Sequence, residues 1–166
     1  MHYYDLYESP HGWMMLVANA EGLSGVYFDG QKYLPQVGPE WLRDGRHAPL
    51  RQAKRELAEY FGGKRERFET ALAPEGTPFQ RSVWKAISTV GFGKTITYAE
   101  LARHAGVPGS ARAAGAATGR NPIGIIVPCH RIVGSDGSLT GYAGGLDRKR
   151  ALLALESGIP DLLAAA

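Results

Sequence analysis

Apolar positions in the first 75 residues come in two short runs, Trp13–Ala18 and Leu23–Phe28, separated by Asn19-Ala20-Glu21-Gly22. Runs of this length bounded by turn residues predict two strands joined as a hairpin. The pattern then changes. Leu50, Ala53, Leu57 and Phe61 recur at helical spacing, and Gly62-Gly63 predicts the stop of that helix. Residues 30–47 carry Gly, Pro and charges without periodicity and read as a surface connection, and the stretch from Thr70 to Gly76, with Pro74, reads as a linker.

Beyond the linker the pattern becomes helical. Thr77-Pro78-Phe79-Gln80 has the capping-box arrangement with Pro at the first helical position. Phe79, Val83, Ile87 and Val90 would line one face of the helix it opens, and Gly91 would end it. Thr97-Tyr98-Ala99-Glu100 is a second capping box, opening a short helix that Gly106 closes. A further short helix, roughly Gly109 to Thr118, follows Val107-Pro108. Two short helices across a tight Gly-containing turn read as helix-turn-helix. An apolar run, Ile123 to Val127, comes next, followed by a hairpin signal at Ser135-Asp136-Gly137-Ser138 flanked by Ile132-Val133 and Leu139. A final helix is expected from about Asp147 to Ser157, and the only low-complexity tract is the terminal Leu-Ala run. The expected organisation is α+β: an N-terminal α/β domain, 1–75, followed by a mainly helical domain, 76–166.

Charge sharpens this division. The 166-residue chain has a formal charge of +3. Residues 1–75 hold 9 Lys and Arg against 11 Asp and Glu, and residues 76–166 hold 10 against 5. The basic balance therefore belongs to the second half, which suits a polyanionic partner. No segment approaches the 18 or so apolar residues of a membrane helix. The first ten residues lack the basic start and apolar run of a secretory signal. The single cysteine, Cys129, excludes an intrachain disulfide and a multi-cysteine zinc site. A lone thiol fits a reducing compartment, so a cytoplasmic location is expected, nucleoid-associated in a bacterium or nuclear in a eukaryote.

Three features carry candidate chemistry. Cys129 lies in Val127-Pro128-Cys129-His130-Arg131, where Pro128 stiffens the chain and the basic neighbours His130 and Arg131 favour a thiolate. A buried thiol acting as a small hydrophobe is the alternative. Glu156 lies at the C-terminal end of the last helix and Arg148, Lys149 and Arg150 at its start. Both placements oppose the helix dipole, so these charges either have other partners or point at water. Finally, six of the eight residues in Ser110-Ala111-Arg112-Ala113-Ala114-Gly115-Ala116-Ala117 are Ala or Gly. Such a helix buries little apolar area, but its narrow surface suits close approach to a groove, with Arg112 as the one long side chain.

Pro128-Cys129-His130-Arg131 followed by Ile132-Val133 resembles the active-site signature of the O6-alkylguanine-DNA alkyltransferases. The resemblance extends in register to Thr97-Tyr98, Arg112 with Gly115, Asn121-Pro122, Gly141-Tyr142-Ala143-Gly144-Gly145, and Glu156. It implies a ribonuclease-H-like first domain without catalysis, and a second domain with a winged helix-turn-helix. It implies single-turnover DNA repair, in which Cys129 attacks the alkyl carbon on guanine O6, or thymine O4, and keeps it as a thioether. His130 would take the thiol proton through a water, and Glu156 would orient and charge that His. Asn121 would brace the turns around the active-site segment, and Tyr98 would donate to the departing guanine. Arg112 would fill the stack vacated by the flipped nucleotide while Ala111, Ala113 and Gly115 let the helix into the minor groove. Minor-groove readout carries little sequence information, which suits non-specific scanning of double-stranded DNA.

Pro128, Tyr142, Ala143 and Gly144 would border an alkyl pocket with room for groups larger than methyl. The resemblance implies no cofactor and a monomer in solution. Residues 1–75 lack Cys, so the N-terminal zinc site of some family members is expected to be absent, and His2, His11 and His47 read as surface residues. Two other readings remain open. Alkyltransferase-like proteins bind alkylated DNA without an acceptor Cys, and a cysteine hydrolase built on Cys129, His130 and Glu156 would turn over repeatedly.

Overall fold

The Asn19-to-Gly22 segment folds as a turn because the Asn19 Oδ1 accepts from the backbone N–H groups of Glu21 and Gly22, at 2.9 and 3.2 Å. The strands on either side, β2 (Gly12–Ala18) and β3 (Leu23–Phe28), pair antiparallel. The computed structural model describes residues 1–158, so the terminal Leu-Ala run lies outside the described residues. The chain divides into two compact units, Met1–Glu75 and a second beginning at Gly76.

The first unit contains a strand that the apolar pattern does not reveal. β1 (Tyr3–Ser9) pairs antiparallel with β2, and β4 (Leu42–Arg43), inside the expected surface connection, pairs parallel with β1. The sheet order is β3-β2-β1-β4. Asp5 interrupts the apolar pattern of β1, yet it is buried there because Arg43 Nε donates to it at 3.0 Å and Lys54 also donates. Helix α1 (Ala48–Phe61) buries Leu50, Ala53 and Leu57 as its spacing predicts. The fourth core position is Tyr60, however, and Phe61 is half-buried beside Tyr60 and His11. Both spacings fit a period of 3.6, and packing decides between them. Glu56 of α1 is buried and accepts from the Glu69 and Thr70 backbone N–H groups and the Thr70 hydroxyl. The three N-terminal histidines are half-buried rather than plainly exposed. His2 stacks on Trp41, His47 stacks on Tyr3, and His11 lies against Phe61.

In the second unit both capping boxes form. Thr77 caps α2 (Pro78–Ile87) with Gln80 reciprocating, and Thr97 caps α3 (Tyr98–His104) with Glu100 reciprocating. Helix α2 ends at Ile87 instead of continuing to Val90, and Phe79 lies outside the core, where Val83, Trp84, Ala86 and Ile87 are buried. α4 (Ala111–Gly119) completes the helix pair.

The Ser135-to-Ser138 turn also forms, with Gly134 N–H donating to the Ser138 carbonyl at 2.9 Å, but no hairpin follows. Leu139 is not in a strand. β6 (Ile132–Val133) instead pairs parallel with β5 (Ile96–Thr97), the residues that lead into α3. The last helix, α5 (Leu146–Ser157), ends at Gly158 in the left-handed region, φ 72°. The result is α+β, with a sheet and one long helix in the first unit and a mainly helical second unit. Among the described residues no helix is long and apolar enough to cross a membrane.

Candidate active site

The chain between α4 and β6 has little regular structure, and one side chain organises it. Asn121 Oδ1 accepts from Ile123 N–H at 3.0 Å, and its Nδ2 donates to the Val127 carbonyl at 2.8 Å and the Ile123 carbonyl at 3.4 Å. All four groups of this brace are buried. Within the braced loop Ile125 has φ 71° at 1% exposure. A β-branched residue with positive φ is a strained backbone, of a kind that costs about 1–3 kcal/mol. Pro128 then leads into a 3-10 turn, Cys129–Arg131, which bends Cys129, His130 and Arg131 through one tight step.

That turn sends two consecutive side chains onto one carboxylate of α5. His130 Nε2 lies 2.6 Å from Glu156 Oε2. Arg131 forks across the same group, Nε to Oε1 at 2.8 Å and Nη2 to Oε2 at 3.0 Å, and its Nη1 donates to the Val90 carbonyl at 2.6 Å. His130 is fully buried, and the Glu156 side chain is 1% exposed. The carboxylate can only accept, so His130 carries its proton on Nε2. Nδ1 is then an unprotonated acceptor, buried and without a hydrogen-bond partner. Burial pushes the His130 imidazolium down, and the hydrogen bond and charge of Glu156 oppose that only in part. The imidazole is therefore neutral rather than charged by Glu156.

Cys129 is buried at 8% exposure. Burial pushes its thiol up, countered in part by an Asn121 hydrogen bond and by the charge of Lys149. The sequence neighbours expected to favour the thiolate thus serve Glu156, and the cation acting on the sulfur comes from α5. Lys149 is fully buried, with Nζ donating to the carbonyls of Ile132 at 2.6 Å, Thr140 at 2.7 Å and Gly141 at 3.3 Å. Burial brings its ammonium down to about 8. Its partners are all neutral carbonyls, so its charge remains available to a nearby anion. Lys149 is the site residue that sequence reasoning missed. The signal was present, since a basic first turn opposes the helix dipole and implied partners elsewhere.

Tyr98, the first residue of α3, donates to the Thr140 carbonyl at 3.4 Å, so Tyr98 and Lys149 share that acceptor. Burial raises the Tyr98 and Tyr142 phenols, and the Cys129 charge raises both further. Cys129, His130, Glu156, Asn121, Tyr98 and Tyr142 thus form one neighbourhood together with Arg131 and Lys149. Ala143 is half-buried and Gly144 buried, and the Gly144 carbonyl accepts from Arg148. On α4, Arg112 and Ala113 are exposed, and Gly115 lies against the Tyr98 ring. Among the described residues no three His, Cys, Asp or Glu side chains group as metal ligands.

The family model for the 6-O-methylguanine DNA methyltransferase DNA binding domain matches residues 78–158, and that for the ribonuclease-like domain of the same proteins matches residues 2–74. The chain belongs to the 6-O-methylguanine DNA methyltransferase family. A methylated-DNA–protein-cysteine methyltransferase from Methanosarcina barkeri is 49% identical over 154 residues, 93% of this chain and 96% of that protein. One from Mycobacterium tuberculosis is 44% identical over 156 residues, 94% of this chain and 93% of that protein. The crystal structure of Mycobacterium tuberculosis OGT in complex with DNA superposes with a TM-score of 0.86 at 41% identity, covering 96% of each chain.

Within this family's site, replacing Lys149 by Met removes a cation from beside the sulfur and so disfavours the charged form. A Lys149→Met variant will therefore show a higher Cys129 pKa than the parent. The pH dependence of thiolate ultraviolet absorbance measures this, and an unchanged or lower value would refute the assignment.

Proposed function

We propose that this chain repairs alkylated duplex DNA by direct reversal, with Cys129 as a single-use acceptor. The Sγ–carbon bond forms as the carbon–O6 bond breaks. The thiol proton passes, through a bridging water, to His130 Nδ1, and guanine leaves with its developing charge met by the Tyr98 phenol. An O4-alkylthymine would react in the same way. A thioether does not hydrolyse under these conditions, so one chain is consumed per lesion.

One observation carries this reading: a neutral imidazole, anchored through Nε2 to a buried carboxylate, keeps a bare and buried Nδ1 on the residue that follows the lone cysteine in the same tight turn. A proton acceptor of this kind suits a thiol whose pKa burial has raised, because the proton has to leave during attack rather than before it. Asn121 holds the active-site segment in place, and Pro128, Tyr142, Ala143 and Gly144 border the alkyl group.

The second unit, 76–166, carries both chemistry and DNA contact, and the first, 1–75, supports it. A base inside the duplex hides its O6 substituent from any thiol, so the nucleotide has to rotate out at a cost of a few kcal/mol. Arg112 is exposed on a helix of small residues and fills the vacated stack, while Ala111, Ala113 and Gly115 keep the helix narrow enough for the minor groove. The basic balance of this half supplies salt-dependent attraction to phosphate without sequence preference. The protein acts as a monomer, in the cytoplasm or wherever the DNA lies.

Intact-mass analysis after mixing with a methylated duplex will show a gain of one methyl group per chain, mapped to Cys129, with no further turnover. Binding without a mass change, or repeated turnover, would reject the reading. The Arg112→Ala variant will lose about tenfold or more in transfer from duplex DNA relative to transfer from free O6-benzylguanine, since only the duplex requires base rotation. Equal losses on both substrates would remove Arg112 from the finger role.

A further inference from the structure

Helix α4 has few means of holding its own position. Its N-cap, Ser110, makes no side-chain capping bond, its first turn has no acidic residue, and Gly115 lies in its interior. Its buried residues are Ala114, Ala117 and Thr118, which offer little apolar area. A helix this bare depends on whatever grips it from outside.

Helix α3 packs on α4 through the Tyr98 ring beside Gly115, and a second, directional grip comes from α2. Trp84 is 3% exposed, and its indole Nε1 donates to the Ala117 carbonyl at 2.8 Å. That carbonyl lies in the last turn of α4 and also accepts from Arg120 N–H at 3.1 Å. The opposite edge of the indole is equally constrained. A Cβ added at Gly76 would fall 2.4 Å from Trp84 Cη2, 2.7 Å from Cζ3 and 2.9 Å from Gln80 Oε1. The ring edge is rigid, and Gln80 Oε1 is already committed to the Thr77 N–H of the capping box. Gly76 is thus required for space, and its missing side chain is the seat into which the indole fits.

We propose that Trp84 is a positioning residue for the DNA-contacting helix. Seated against Gly76 at one edge and bonded to Ala117 at the other, its indole fixes the pose from which α4 presents Arg112. This rests on α4 being the DNA-contacting helix, as proposed above. Pressure at the Gly76 edge pivots the indole and loosens its bond to α4, so Gly76→Ala and Trp84→Phe disturb the same contact from opposite ends. Trp84→Phe keeps an aromatic ring in the core but removes the donor together with part of the indole's volume.

The test measures single-turnover alkyl transfer from a methylated duplex and from free O6-benzylguanine, with hydrogen exchange of the α4 amides on the same proteins. Loss of one such bond corresponds to about fivefold. Both variants are expected to slow duplex transfer about fivefold more than free-base transfer, with faster exchange across residues 112–118. Rates that fall in parallel on both substrates, or α4 exchange that matches the parent, would overturn the proposal. If the parent itself takes no alkyl group from either substrate, the functional reading fails, and the exchange data alone decide whether Trp84 holds α4.

Discussion

The carboxylate of Glu156 is the point on which the site depends. It accepts from His130 and Arg131, consecutive residues of one tight turn, and it is almost wholly buried. Water cannot replace either partner there. Removing the carboxylate would leave the Arg131 guanidinium buried and uncompensated, a loss of about 3–5 kcal/mol. The same contact ties α5 to the active-site turn, so the conformation of the Cys129 backbone and the orientation of the His130 ring share one anchor. Glu156 is therefore a structural and a chemical residue together.

Charge is then divided in a way that suits a nucleophile used once. Burial keeps His130 neutral, and the hydrogen bond and charge of Glu156 oppose it only in part, with the Arg131 and Lys149 charges acting on the side of burial. The sulfur on the neighbouring residue stays protonated for the same physical reason, burial, with Lys149 and Asn121 as its counterweights. Environments that hold a thiol and an imidazole both neutral set up a proton transfer that occurs with attack. The strained Ile125 backbone lies inside the Asn121 brace just before this pair, which places the least relaxed part of the loop next to its most constrained part.

What the sequence made legible was local. The Thr77 and Thr97 capping boxes and the Asn19 turn are satisfied within a few residues, so their signals appear in the string itself. The misplaced charge of Glu156 was legible as an anomaly, and its register with Cys129 and His130 supplied the partner. β1 was hidden because Asp5 breaks its pattern, and the compensating Arg43 and Lys54 lie 38 and 49 positions away. The turn at Ser135–Ser138 was legible, but pairing is a tertiary decision, and β6 took β5 as its neighbour. No local rule asks for positive φ at Ile125, and none links Trp84 to Ala117 across 33 residues.

His130 rests neutral, with its proton on the nitrogen facing Glu156 and the other nitrogen bare and able to act as a base. The most direct measurement is the pair of imidazole nitrogen chemical shifts of His130 by NMR in the unreacted protein, followed across neutral pH. A protonated Nε2 with a bare Nδ1, unchanged through that range, is the result expected from this geometry. An imidazolium, or a proton resident on Nδ1, would contradict it.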